Sequence, residues 1–257
     1  MNVPTTPNAA RLQDALDDGT DNYIVDRAFA ERLLDVAPWL RASVRTNRAH
    51  GPQILDHFTR EYGIDQVLDL GCGLPHDNNK YLPDAVRRIV YVDSDPDVDG
   101  HARMRLAERH GTASLLADLK NTPALLAAGP VARLDRSRPI GVLLHDVLPW
   151  IDDDTATAAL AALRAWLPDG SVLSVTHATT DTDPEGMAAL TRLYAEADIH
   201  FQPRSARQIH ELLGSWTQVE DDGLVTTASW HQPVPLHDRF DLSHAYAILV
   251  SPPDRPA

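Results

Sequence analysis

From residue 66 onward the chain alternates short apolar runs with helical stretches, and that alternation restricts it to one fold class. The runs are Gln66 to Leu70, Ile89 to Asp93, Ala113 to Ala117, Ile140 to His145 and Ser171 to Thr176. Most are built of β-branched residues or Leu and are bounded by Gly, Pro, Asp or Asn. Continuous apolar character, without in–out alternation, suits strands covered on both faces. The segment Asp154 to Leu167 is rich in Ala and Leu, opens on Asp and Thr caps and stops at Pro168-Asp169-Gly170, as a helix does. Repeated strand–helix units make a mostly parallel, doubly wound sheet, an α/β Rossmann-like architecture. Residues 11 to 63 instead read as helical, with Phe29, Leu33, Leu34 and Ala37 at helical spacing and a break at Pro38. The expected layout is a helical cap over residues 1 to 63, a sheet domain over 64 to 252 and a loose tail over 253 to 257.

Charge narrows the partners. The net charge is −14, from 37 acidic and 23 basic side chains. Such a surface repels phosphate backbones and anionic lipid, so neither nucleic acid nor membrane is an expected partner. The one local basic stretch, Arg41, Arg45 and Arg48, has the spacing of a solvated helix face. No apolar run approaches the ~20 residues of a membrane span, and the opening residues lack the regions of a signal peptide. A single cysteine, Cys72, cannot form an internal disulfide, so the cytoplasm is the expected compartment; the expected assembly is a monomer or homodimer.

The chemistry concentrates at strand ends. Asp69-Leu70-Gly71-Cys72-Gly73-Leu74-Pro75 follows the first run, and paired glycines there let backbone approach a ligand in the crevice beyond the strands. A dinucleotide fingerprint needs a third glycine three residues on, where His76 stands instead. An acid before the first glycine suits a ligand bearing an ammonium, and helix-terminal N–H groups suit its carboxylate. The second run ends on Asp93, the position from which a carboxylate accepts both ribose hydroxyls. Its removal should then weaken ligand binding more than the empty fold. Asp118, at the third strand end, can accept from an adenine amine. Three acids in this series point to a nucleoside ligand with an amino-acid tail.

These motifs, Asp69 to Gly73, Val92-Asp93-Ser94-Asp95-Pro96 and Ala117-Asp118-Leu119, resemble those of the class I S-adenosylmethionine-dependent methyltransferases. More narrowly the chain is similar, from about Arg11 to Trp230, to an actinobacterial S-adenosyl methyltransferase family once known as a domain of unknown function. Asp21-Asn22-Tyr23, Arg45-Thr46-Asn47-Arg48, Ser174 to Ala178 and Gly223 to Val225 with Trp230 carry that likeness. It departs from the family pattern at Ala15 to Thr20, at His76 and at Val147-Leu148-Pro149-Trp150, all on the cap or acceptor side. The resemblance implies a seven-stranded sheet whose last strand, Ala245 to Val250, is reversed. It also implies S-adenosyl-L-methionine as cofactor, held by Asp69, Gly71, Gly73, Asp93, Ser94, Asp118, Leu119 and His145, with Asn22 and Arg48 from the cap. The implied activity is methyl transfer to a small-molecule acceptor in specialised biosynthesis. Aminocarboxypropyl transfer or cyclisation with the same cofactor, and non-catalytic cofactor binding, are the rival readings.

Candidate proton acceptors are His145 and Asp146, at the end of the fourth run, and His177 after the fifth. Adjacent side chains on a strand face opposite ways, so at most one of His145 and Asp146 should reach the site. No metal is expected. There is no His-Glu-x-x-His, Cys72 lies inside the glycine turn, and His231, His237 and His244 lack metal-ligand spacing.

Overall fold

In the computed structural model, which describes residues 4–75, 81–106, 109–232 and 241–253, all five apolar runs are strands. They are β1 (Gln66–Leu70), β2 (Arg88–Asp93), β3 (Thr112–Leu116), β4 (Gly141–His145) and β5 (Val172–Ala178). These five pair in parallel, in the order β3-β2-β1-β4-β5. The reversed strand is β8 (Ala245–Ser251), antiparallel to β5, with Leu173 opposite Val250 and Ala178 opposite Ala245. Among the described residues the sheet has eight strands rather than seven, because the outer edge of β8 is shared. There β6 (Thr217–Gln218) pairs with Ser251 and Val250, and β7 (Val225–Thr226) pairs with Ala247 and Tyr246. Two-residue segments carry no periodicity, so neither is legible before the edge they pair with exists.

Period-two alternation along the strands divides the core between the two faces. Leu68, Leu70, Val90, Val92, Val142, Leu144 and Val175 pack under α5 (Thr122–Ala127), α6 (Gly129–Ala132), α7 (Asp153–Trp166) and α9 (Ala206–Leu213). Val67, Ile89, Tyr91, Leu143, Ala247 and Leu249 pack under α4 (Pro96–Arg105) and the C-terminal half of α3 (Leu40–Glu61). α7 starts one residue before the predicted Asp154, because Asp152 is the residue whose carboxylate accepts from the Thr155 N–H at 2.7 Å.

Among the described residues the N-terminal fifth forms three helices: α1 (Ala9–Leu16), α2 (Ile24–Val36) and α3. The chain turns at Pro38 as predicted, and also between α1 and α2, where Asp18 takes φ +57. Leu12, Leu16, Phe29, Leu33, Leu40 and Val44 make a third core with Met187, Leu190 and Tyr194 of α8 (Pro184–Glu196) and with Phe201. Polar ties also join α1 and α2 to one another. Asp26, fully buried, accepts from Arg11 Nε at 2.9 Å and from the Tyr23 and Asn8 N–H groups. Among the described residues no helix is long and apolar enough to cross a membrane.

Candidate active site

The site is built at the C-terminal ends of β1, β2 and β4, where strand order reverses and a crevice opens. Gly71 and Gly73 take φ +70 and +64, a region open to glycine at no steric cost. A Cβ on Gly71 would also stand 2.4 Å from Val147 Cγ2, so the backbone can pass there only without a side chain. The Gly71 and Cys72 N–H groups donate to the Val92 carbonyl at 2.7 and 3.1 Å. Asp93 then joins the two strand ends: Oδ2 accepts from Gly73 N and Oδ1 from Asp95 N, both at 3.0 Å. Burial raises the Asp93 carboxyl above its ordinary value, against the pull of those N–H groups. Asp69 sits behind it, its carboxyl pushed up to about 7 by burial first and by Asp93 second.

Asp69, Gly71, Gly73, Asp93, Ser94, Asp118, Leu119, His145 and Arg48 all line one cavity of about 390 Å³. Asp118 caps the short turn Leu119–Asn121, accepting from Lys120 N at 2.9 Å. On the cap side Asn8, Gln13, Asn47 and Arg48 close the cavity, and Asn8 Nδ2 reaches across to Asp95 Oδ2 at 2.8 Å. The far end is aromatic. Trp150, Tyr194 and Phe201 lie with centroids 4.9 to 5.3 Å apart, beside Trp39, Met187 and Leu190. Nothing in the linear sequence groups those rings, which come from the turn after β4, from α8 and from the loop beyond it.

Contrary to strand alternation, His145 and Asp146 both face the cavity. β4 ends at His145, and Asp146 takes φ +54, so its side chain no longer alternates. Its N–H donates to Thr176 O at 3.1 Å and Oγ1 at 2.9 Å, which fixes the kink. Burial pushes the Asp146 carboxyl up to about 7, opposed by the charge of Arg48. Burial pushes His145 down to about 3, and its Nε2 is 2.7 Å from Ser174 Oγ. His177 corrects the sequence reading. Its neighbours Thr176 and Ala178 line the cavity, so its own ring points to the opposite face. There Nδ1–H donates to the Ala178 carbonyl at 2.7 Å and Nε2 accepts from Arg204 Nη1 at 2.8 Å.

The cap residues divide in the same way. Arg48 lines the cavity beside Gly73, pairing with Asp17 at 3.2 Å and donating to Leu74 O at 3.3 Å. Asn47 lines it too, donating to Ser243 O at 3.1 Å. Arg45 turns outward to Asp18, and its side chain is 48% exposed. Asn22 is spent within the cap: it donates to Asp14 Oδ2 at 2.8 Å and Gly19 O at 2.9 Å, and accepts from Arg27 at 2.7 Å. Arg48→Ala should therefore weaken ligand affinity by about tenfold, a charge-assisted contact's worth, while Arg45→Ala leaves it unchanged. Calorimetry on the two variants checks the contrast. Among the late histidines, His244 stacks on Trp39 at 3.6 Å, and His237 lies outside the described residues, as does His76. His231 is close to His57 and Glu220, an encounter that linear spacing cannot reveal.

Comparison with known proteins agrees with this fold. No curated protein matches the chain. A solved structure of a candidate methyltransferase from Thermobifida fusca YX is 31% identical over 96% of this chain and 95% of its own, with a TM-score of 0.87. A DUF574 family protein from Streptomyces avermitilis MA-4680 is 25% identical, covering 96% of this chain and 98% of its own, also at 0.87. The N-methyltransferase NodS from Bradyrhizobium japonicum WM9, solved with S-adenosyl-L-homocysteine, shares the fold at 16% identity and a TM-score of 0.52, over 89% of this chain and 98% of its own. The model of the S-adenosyl methyltransferase family matches residues 3–249, and the chain belongs to that family of S-adenosylmethionine-dependent methyltransferases.

Proposed function

We propose that the chain methylates a small molecule held in the aromatic end of the cavity, with Asp146 as the proton acceptor. When bound, S-adenosylmethionine supplies a methyl group on a sulfonium that is already a good leaving group. The protein's task is then to align a nucleophile and exclude water. Asp69 would pair with the cofactor's ammonium, Arg48 with its carboxylate, Asp93 with the ribose hydroxyls, and Asp118 and Leu119 with the adenine. The glycine turn and Ser94 form the backbone floor, and the residues of α1 to α3 act as a lid rather than as a separate unit. The volume, about 390 Å³, falls in the range of small-ligand sites, about 300–1,000 Å³.

The observation that carries the reading is the position of Asp146 between Arg48 and the aromatic chamber. Its charge is near enough to Tyr194 to help raise that phenol. A carboxyl at about 7 is matched to removing a proton from a phenol or amine near neutral pH. His145, held neutral, serves better as a hydrogen-bonding wall. The aromatic chamber suits an acceptor that is planar and apolar with one ionisable O–H or N–H, of the kind made in specialised metabolism. Incubation with the cofactor and a panel of phenols and aryl amines should yield S-adenosylhomocysteine, and Asp146→Asn should abolish most turnover with cofactor affinity kept. Methylthioadenosine as the product would contradict methyl transfer, and full turnover by Asp146→Asn would remove its role.

Asp69 also sets a pH dependence. Its carboxyl is protonated in the empty site below about 7, whereas a cofactor ammonium favours the ionised form. Binding must then release a proton on the acid side, so affinity rises with pH up to about 7 and declines again once the ligand's own α-amino group, at about 7.7–8.0, loses its proton. At about pH 6 it should be severalfold weaker than at about pH 7.5. Titrations across that range check it, and Asp69→Asn should flatten the profile.

A further inference from the structure

We propose that His57, Glu220 and His231 form a binding site for a divalent transition-metal cation of the zinc class, clamping α3 to the antiparallel edge of the sheet. The three come from distant segments: α3, the turn after β6 and the residues following β7. Among the described residues theirs is the group whose ligand atoms converge, all within 4.8 Å of one another. Glu220 spans the two imidazoles, with Oε1 on His57 Nε2 and Oε2 on His231 Nε2 at 3.1 Å. Three ligands bound to one ion at about 2.0–2.2 Å stand about 3.3 Å apart, so side-chain adjustment alone closes the set.

Two nitrogens and one carboxylate oxygen are a borderline donor set, suited to zinc or cobalt and unsuited to magnesium or calcium, which prefer oxygen alone. Three protein ligands leave a fourth position for water, and the partial exposure of His231, 39%, gives that position access to solvent. Outer contacts orient the ligands, as they do at established metal sites. Tyr62 OH donates to Glu220 Oε1 at 3.4 Å, and Trp230 stacks on the His231 ring at 3.9 Å while meeting His57 edge-on at 5.3 Å. Trp230 also meets His50 at 4.9 Å, and His50 lies 5.3 Å from His145 in the cavity wall. The clamp therefore abuts the site without being part of it, and it stands whether or not the methylation reading does. The simpler alternative is a carboxylate hydrogen-bonded to two histidines with no affinity for metal.

The whole chain, stripped with chelator, would be titrated with zinc chloride and with cobalt chloride, with magnesium chloride as control. One equivalent of zinc or cobalt should bind, cobalt should develop ligand-field absorption of a four- or five-coordinate site, and the melting temperature should rise by several degrees. Magnesium should do none of this. His231→Gln, at a half-exposed position, should fold like the parent yet bind at least about tenfold more weakly, and Glu220→Gln should do likewise. Absence of stoichiometric binding by the parent, or binding unchanged in His231→Gln and Glu220→Gln, would overturn the proposal.

Discussion

A chain shortened to begin at residue 51 will not reach a cooperative native state. The deletion removes Leu12, Leu16, Phe29, Ala30, Leu33, Ala37, Leu40 and Val44, all buried, and cuts α3 in its middle. It strips the partners on α1 to α3 from Met187, Leu190, Tyr194 and Phe201. Burial of one large apolar side chain is worth about 1.5–3 kcal/mol. Losing several such contacts at once approaches the whole stability of a typical domain, about 5–15 kcal/mol. It also removes Asn8 and Arg48 from the cavity wall, so any fragment that did fold would bind the cofactor poorly. Thermal melting followed by circular dichroism should show no sharp transition. A cooperative fragment with parental cofactor affinity would mean that these helices are an appendage, and the lid reading would fail.

Asp93→Ala should weaken cofactor binding by about ten- to a hundredfold, because a charged acceptor for two hydroxyls contributes about 1.5–3 kcal/mol. The sequence suggests a residue whose loss spares the empty fold, but the structure gives it a second duty. Asp93 accepts from the N–H groups of both Gly73 and Asp95, so its loss also unties the glycine turn. The melting temperature should fall too, by the few degrees that about 1–2 kcal/mol brings in a chain of this size. Affinity measured well below that transition separates the two effects. An unchanged dissociation constant there would place the ribose elsewhere.

The strands were legible because a buried parallel strand announces itself as a continuous apolar run, and Gly71, Gly73, Asp69, Asp93 and Asp118 because chemistry concentrates at the ends of such strands. β6 and β7 were not, since two residues acquire strand geometry only from the edge of β8. Alternation assigns His145 and Asp146 to opposite faces, but the strand ends at His145 and a left-handed backbone position, which sequence does not mark, turns Asp146 back to the site.

The cap was the least readable part. Asn22, Arg45, Asn47 and Arg48 are equally polar in sequence, yet only Asn47 and Arg48 line the cavity. Which turn of a helix faces a site is decided by how α1 to α3 dock on α8 and the sheet, and that depends on apolar contacts far apart in the chain. The aromatic chamber and the grouping of His57 with Glu220 and His231 have the same origin.

Calorimetric titration of the full chain with S-adenosylhomocysteine, with a nicotinamide dinucleotide run in parallel, tests the central claim most directly. The acid series Asp69, Asp93 and Asp118 around one cavity predicts one equivalent of S-adenosylhomocysteine bound in the micromolar range, about 8 kcal/mol, and no heat from the dinucleotide. Heat from the dinucleotide with none from S-adenosylhomocysteine would contradict it.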